Sequence, residues 1–206
     1  MPPLPPVTQA LLLINVALYC LDIALGESLS RGWLALWPLG SSHFMPWQVV
    51  TYAFMHGSMI HIFLNMMALW MFGGELERIW GTRRFMQFYG ASILMAAVTQ
   101  LLMALVTGSV APTVGASGGT FGLLLAFGMM FPNRTIMPLF PPIPMKAKYF
   151  VAIYGAVELF QGVTNTQSGV AHFAHLGGML GGWLVIRYWR GQLPFSRLPR
   201  GPRRRP

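Results

Sequence analysis

The chain has 206 residues and a formal net charge of +9, with 54% of its residues hydrophobic and only 9% charged. That balance excludes an ordinary soluble domain, in which about a quarter of residues are charged, and selects a polytopic membrane protein. The positive charge does not indicate nucleic acid. With both termini cytoplasmic, thirteen of the fourteen basic residues fall on the cytoplasmic side, in connections or at the inner ends of spans, and only Arg31 lies across the membrane.

Apolar segments at 7–26, 58–74, 86–107, 115–131, 147–163 and 170–189 predict six helices, several near the roughly 20 residues a bilayer requires. The fold class is therefore all-α: one six-transmembrane-helix membrane domain over 1–190, then a basic cytoplasmic tail over 191–206. The tail's Pro, Gly and Arg content predicts disorder and contact with anionic lipid headgroups.

The stretch "MPPLPPVTQ" before the first span has no positive n-region, so that span reads as a retained helix and not as a signal peptide. Its Cys20 stands alone in the chain, which excludes an internal disulfide, and is expected to pack as a small apolar residue. The outer connection from Gly26 to Met55 holds Trp33, Trp37 and Trp47 and is expected to lie in the membrane interface. The second span opens "HGSMIHIFLN", which places His56 at its outer start and His61 and Asn65 four residues apart on one helical face. The fourth span opens "GASGG" with Ser117. The Pro-rich "FPNRTIMPLFPPIPMK" then separates it from the fifth span. The fourth and fifth spans are short, as suits a locally thin bilayer or helices that stop below its surface. A polar outer connection at Gln161–Gly169 is expected to act as a lid. The sixth span opens "AHFAHLGGMLGG", with His172 and His175.

Polar groups inside spans are costly and need a partner or a function. The second, fourth and sixth spans all run inward, so Ser117, His61, Asn65 and the sixth-span histidines share one depth. Gly118 and Gly122 on the fourth span, with Gly178 and Gly182 on the sixth, have the spacing that lets two helices approach closely. Such an approach would bring the Ser117 hydroxyl within reach of a histidine able to activate it. Spacing leaves His172 and His175 as alternative bases. The carboxylates are Asp22, Glu27, Glu75, Glu77 and Glu158, and none has an evident place beside the sixth span, so a Ser–His dyad is expected. The Ser117 backbone N–H at the positive end of its helix, with the Asn65 amide and the His61 ring opposite, would hold the oxyanion. Gly115 and Ala116 would leave room for a substrate backbone. A zinc or haem site built from His56, His61, His172 and His175 is set aside because no HExxH pair occurs; no metal and no cofactor are expected.

"HGSMIHIFLN", "GASG" and "AHLGGMLGG", in this order on these spans, resemble the signatures of the rhomboid intramembrane serine proteases, over about Trp47 to Arg190. The resemblance implies Ser117 as nucleophile and His175 as general base, which decides against His172. It also implies His61 and Asn65 as oxyanion-stabilising side chains, with His56 the outer histidine of the same motif. Glu77 and Gly81 in "GGELERIWG" would be the structural acid and glycine that close the second span. Two positions depart from the family pattern. Gln48 follows Trp47 where an arginine is common, which removes the guanidinium expected to brace the outer loop; Phe121 replaces a tyrosine and keeps the stacking face for the histidine.

The implied activity is endoproteolysis of transmembrane proteins near their outer ends, at segments bearing Gly, Ala or Pro, with lateral entry beside the fifth span. The implied setting is a prokaryotic inner or plasma membrane, with both termini cytoplasmic and the site opening outward. The partners would be transmembrane substrates and lipid, without nucleic acid. The alternatives are a catalytically inactive relative that binds transmembrane clients and a small transporter or proton channel built on the histidines.

Overall fold

A computed structural model describes residues 3–139, 142–164 and 171–193; most of the connection expected to act as a lid, and the tail from 194 onward, lie outside the described residues. Helix α1 (Pro6–Ala24) begins at a proline, whose missing N–H would have no partner in the first turn anyway. Its buried positions include Thr8, Asn15 and Asp22, one residue in seven, while Leu13, Ile14, Val16 and Ile23 are exposed. This inverts the pattern of a water-soluble helix: apolar side chains meet the solvent, which is lipid, and polar ones turn inward. Cys20 lies on the exposed face, so it meets lipid instead of packing between helices.

The first turn of α1 is held by a residue 70 positions away. Glu77 accepts hydrogen bonds from the Val7 N–H (3.0 Å), the Thr8 N–H (2.7 Å), the Thr8 hydroxyl (2.8 Å) and the Thr82 hydroxyl (3.1 Å). A buried carboxylate thus satisfies two free amides at the positive end of α1. Glu77→Ala would strand both amides and is expected to destabilise the fold by about 3 kcal/mol, lowering the melting temperature in detergent by about 10 °C. Glu77→Gln, which keeps one acceptor oxygen, should fall between the two. A melt of Glu77→Ala within 2 °C of wild type, on the same rough scale, would remove this carboxylate from the account of stability.

The outer segment is folded, not a loose loop. Asp22 accepts from the Leu29 and Ser30 amides and starts a π-type turn over Ser30–Leu34. A short helix α2 (Gln48–Thr51) and a 3₁₀ turn, Tyr52–Phe54, complete it. Gln48 is fully buried: its Nε2 donates to the His43 carbonyl (2.8 Å) and the Trp33 carbonyl (3.3 Å), and its Oε1 accepts from the Trp37 N–H (3.2 Å). The brace expected to be missing with the arginine is supplied by a neutral amide that both donates and accepts. Trp33 and Trp47 are exposed, as interfacial rings should be.

Helix α3 (Met59–Ala68), a π-type turn (Leu69–Gly73) and α4 (Gly74–Trp80) form one continuous rod from Met59 to Trp80, longer than the expected 58–74 because the buried Glu77 lets it run on. Gly81, at φ 75°, breaks it, and α5 (Thr82–Thr107) returns across the bundle. Pro6–Ala24, Met59–Trp80 and Thr82–Thr107 are long and apolar enough to cross a membrane. Helix α6 (Ser117–Met130) has 14 residues, about 21 Å of rise against a hydrocarbon core of about 30 Å, so one of its ends lies below the surface. It is apolar on all sides and enclosed by α5, the π-type turn Leu69–Gly73 and the two helices that follow it in the chain. The Pro-rich stretch beyond it, expected only as a helix breaker, carries two short antiparallel strands, β1 (Thr135–Ile136) and β2 (Met145–Lys146). Helices α7 (Ala147–Thr164) and α8 (His172–Trp189) complete the described fold, an all-α polytopic membrane bundle.

Candidate active site

Three hydrogen bonds carry the chain into α6. Leu36 and Thr113 exchange both of their backbone bonds at 2.9 Å, and the Gly115 N–H donates to the Tyr52 carbonyl at 2.9 Å. The folded outer segment therefore fixes the strand that delivers Ser117 as the first residue of α6. Gly115 sits at φ 129°, where L side chains are strained, and a methyl group on it would stand 2.7 Å from His61 Nε2. Its missing side chain makes room for the His61 ring, a neighbour the sequence did not suggest.

Helix α8 approaches α6 without side chains between them. A methyl group on Gly178 would overlap the Gly118 carbonyl oxygen, whereas one on Gly182 would first meet the Phe88 ring of α5, at 2.6 Å, and stand 3.4 Å from the Gly122 Cα. Gly118 and Gly122 have a second reason to be small: their open sides are filled by Ala96 and Ser92 of α5. At this close crossing His175 Nε2 lies 2.8 Å from Ser117 Oγ. The Phe121 ring stacks on the His175 imidazole, with centroids 4.3 Å apart and planes within 5°.

His175 has a second partner. Its Nδ1 lies 2.8 Å from Glu158 Oε2, and His172 Nδ1 lies 2.7 Å from the same oxygen. The expectation that no carboxylate reaches the sixth span is therefore corrected: Glu158 comes from α7, buried between two turns of α8. His172, the alternative base, makes no hydrogen bond to Ser117 among the described residues, and its Nε2 is buried without a hydrogen-bond partner.

The other side of Ser117 is lined by α3. The Ser58 hydroxyl caps that helix by accepting from the His61 N–H, and the Gly57 N–H donates to His61 Nδ1 at 3.4 Å. An accepting Nδ1 leaves the His61 proton on Nε2, the atom that faces Gly115. One turn deeper, Asn65 donates to the His61 carbonyl (2.9 Å), and the Thr120 hydroxyl lies within hydrogen-bond distance of both Asn65 Oδ1 (3.3 Å) and the Ser117 carbonyl (3.1 Å), so its one proton serves one acceptor at a time. Thr120 was missed by the sequence reading, although its position three residues after Ser117 puts it on the serine's face of α6. His56 stands edge-on to His61 with ring centroids 5.1 Å apart; burial, aided by the His61 ring, pushes its pKa down to about 3, so it is uncharged at neutral pH. It supports the His61 ring by packing and does not reach Ser117 by any hydrogen bond among the described residues.

Glu158, His172 and His175 bring three possible ligand atoms within 4.8 Å of one another. Tetrahedral zinc with bonds of about 2.0–2.1 Å would hold its ligand atoms about 3.3 Å apart. The 2.7 and 2.8 Å separations are instead those of charge-assisted hydrogen bonds.

Residues 43–191 match the family model described as "Rhomboid domain". The chain is similar to Rhomboid protease GlpG of Yersinia pestis (strain Pestoides F), with 28% identity over 89% of this chain and 62% of that protein. It is also similar to Rhomboid protein 1, mitochondrial, of Saccharomyces cerevisiae, with 32% identity over 68% of this chain and 42% of the relative. The chain thus spans about three-fifths of the length of the GlpG relatives it matches.

Proposed function

Because this chain belongs to the rhomboid family, we propose that it is an intramembrane serine endopeptidase that cleaves transmembrane-helix substrates near the outer face of a prokaryotic inner membrane. The observation that carries the reading is the 2.8 Å contact between Ser117 Oγ and His175 Nε2. In the proposed reaction His175 Nε2 takes the Ser117 proton as Oγ bonds to the peptide carbonyl, whose π electrons move to oxygen. The oxyanion is held by the Ser117 N–H, the Asn65 amide and His61 Nε2–H. Collapse breaks the C–N bond, and the proton passes from Nε2 to the leaving amine. A water then gives a proton to His175 Nε2 as its oxygen attacks the acyl ester; the second tetrahedral intermediate collapses, the bond from the acyl carbon to Ser117 Oγ breaks, and the Nε2 proton returns to Oγ as the acid product leaves.

Substrate backbone must leave its helix to reach the serine, which favours segments with Gly, Ala or Pro. Entry beside α7 suits this requirement, since α7 presents Ile153, Val157, Phe160 and Val163 to the lipid. The proposed orientation has both termini cytoplasmic, with the basic tail against anionic headgroups.

A fluorophosphonate probe tests the nucleophile directly. Wild-type protein in detergent should be labelled at Ser117 and should cut a model transmembrane substrate; in Ser117→Ala the label should vanish and cleavage should fall about 10⁴-fold or more. Ser117→Ala cleaving within about a hundredfold of wild type would sink the serine mechanism. A folded wild type that binds substrate without cutting it would favour an inactive client-binding relative.

A further inference from the structure

We propose that Glu158 is the third member of the site, a positioning residue that makes the apparatus a Ser–His–Glu triad with His172 as a brace on the carboxylate. The inference rests on the serine mechanism above and adds to it a residue from a helix that contributes neither nucleophile nor base. An ionised carboxylate is only an acceptor, so each imidazole bonded to Glu158 Oε2 does so through an Nδ1–H. For His175 this fixes the tautomer: with the proton on Nδ1, the Nε2 lone pair faces Ser117 Oγ, 2.8 Å away, in the state a general base needs. When Nε2 takes the serine proton, the imidazolium forms beside a full negative charge in a buried place, where that charge stabilises it more than it would in water. Glu158 stays ionised throughout; no proton moves to it.

His172 has a different part. It is buried, its Nδ1–H donates to the same oxygen, and among the described residues its Nε2 has no partner, so the bond from Nδ1 serves to hold Oε2 in place. Phe121 fixes the plane of the His175 ring from its face, and Glu158 fixes rotation within that plane from its edge. Two such constraints on one imidazole are what a base held in near-attack geometry requires.

The experiment is steady-state cleavage of one transmembrane substrate by the detergent-purified full chain, comparing wild type with Glu158→Gln, Glu158→Asp and His172→Gln at matched folded fraction. Glu158→Gln keeps the shape but offers an N–H to the ring; kcat should fall on the order of 10²–10⁴-fold, with KM nearly unchanged. Glu158→Asp, which keeps the charge, should recover part of that loss. His172→Gln should cost about tenfold or less in kcat, because Glu158 keeps its bond to His175. The imidazole ¹⁵N spectrum of wild-type protein gives a readout independent of any variant: His175 should carry its proton on Nδ1. A Glu158→Gln enzyme within about threefold of wild-type kcat, a defect confined to KM, or wild-type His175 protonated on Nε2 would each overturn the triad. Loss of the serine mechanism is told apart by Ser117→Ala: if that variant is inactive while Glu158→Gln is not, only the role of Glu158 fails.

Discussion

Ser117→Ala, His175→Ala and the double variant are expected to be equally poor proteases, each about 10⁴-fold or more below wild type in kcat. Equality matters as much as size. If the hydroxyl and the imidazole acted independently, the two losses would multiply in the double variant. If the 2.8 Å contact is one proton-transfer unit, removing either partner removes the whole of it. The oxyanion donors remain in all three variants, so residual cleavage should be similar as well. The measurement is initial-rate cleavage of one transmembrane substrate at saturating concentration, with folding checked by thermal melting. A double variant a further hundredfold slower than either single would mean that the second residue acts elsewhere, on the same rough scale.

How much of this was readable from the sequence depended on which helices a spacing rule connects. The shared depth of Ser117, His61, Asn65 and the sixth-span histidines was legible because they open helices that all run the same way, so position in the chain converts directly to depth; the choice of His175 over His172 came from the family signature and not from spacing. Glu158 was weighed with the other carboxylates and given no place at that depth, although the same conversion reaches it. Helix α7 runs opposite to α6 and α8, and Glu158 lies about two turns from its far end, near the level at which α8 starts. The signal was a lone carboxylate inside an apolar span, and it needed the odd-numbered helix to be read backwards. Gln48 was misjudged for another reason. Charge was taken as the bracing property, but the site asks for two donors and one acceptor within one side chain, and an amide supplies both kinds. The glycine pairs were read as a two-helix contact, which Gly178 does make against α6, while Gly182 is closed chiefly by Phe88 of α5. Spacing alone does not reveal that Ala96 and Ser92 of α5 occupy the room left by Gly118 and Gly122. Register between helices distant in sequence is set by complementary shape, which no local pattern records.

Gly178→Ala is the substitution outside the reacting groups expected to do most damage to both fold and activity. Its new methyl would overlap the backbone carbonyl of Gly118. A flexible side chain could rotate away, but a helical carbonyl bonded within its own helix cannot, so α6 and α8 must separate or slide. Such overpacking costs about 1–3 kcal/mol. The functional loss should be larger than the stability loss suggests. Gly178 is one turn below His175 on the face towards α6, so a shift that relieves the overlap also moves Nε2 away from Ser117 Oγ. A displacement of about 1 Å at a reacting pair costs on the order of 10²-fold in rate. Gly90→Ala is the control: Gly90 lies within α5, and a methyl there meets nothing within 4 Å, so that variant should melt at or slightly above the wild-type temperature, given the better helix propensity of alanine by up to about 1 kcal/mol. Thermal melting and kcat measured on the same preparations separate the two effects. If Gly178→Ala kept both wild-type melting and wild-type kcat, the close crossing of α6 and α8 would not be what holds the serine against its base.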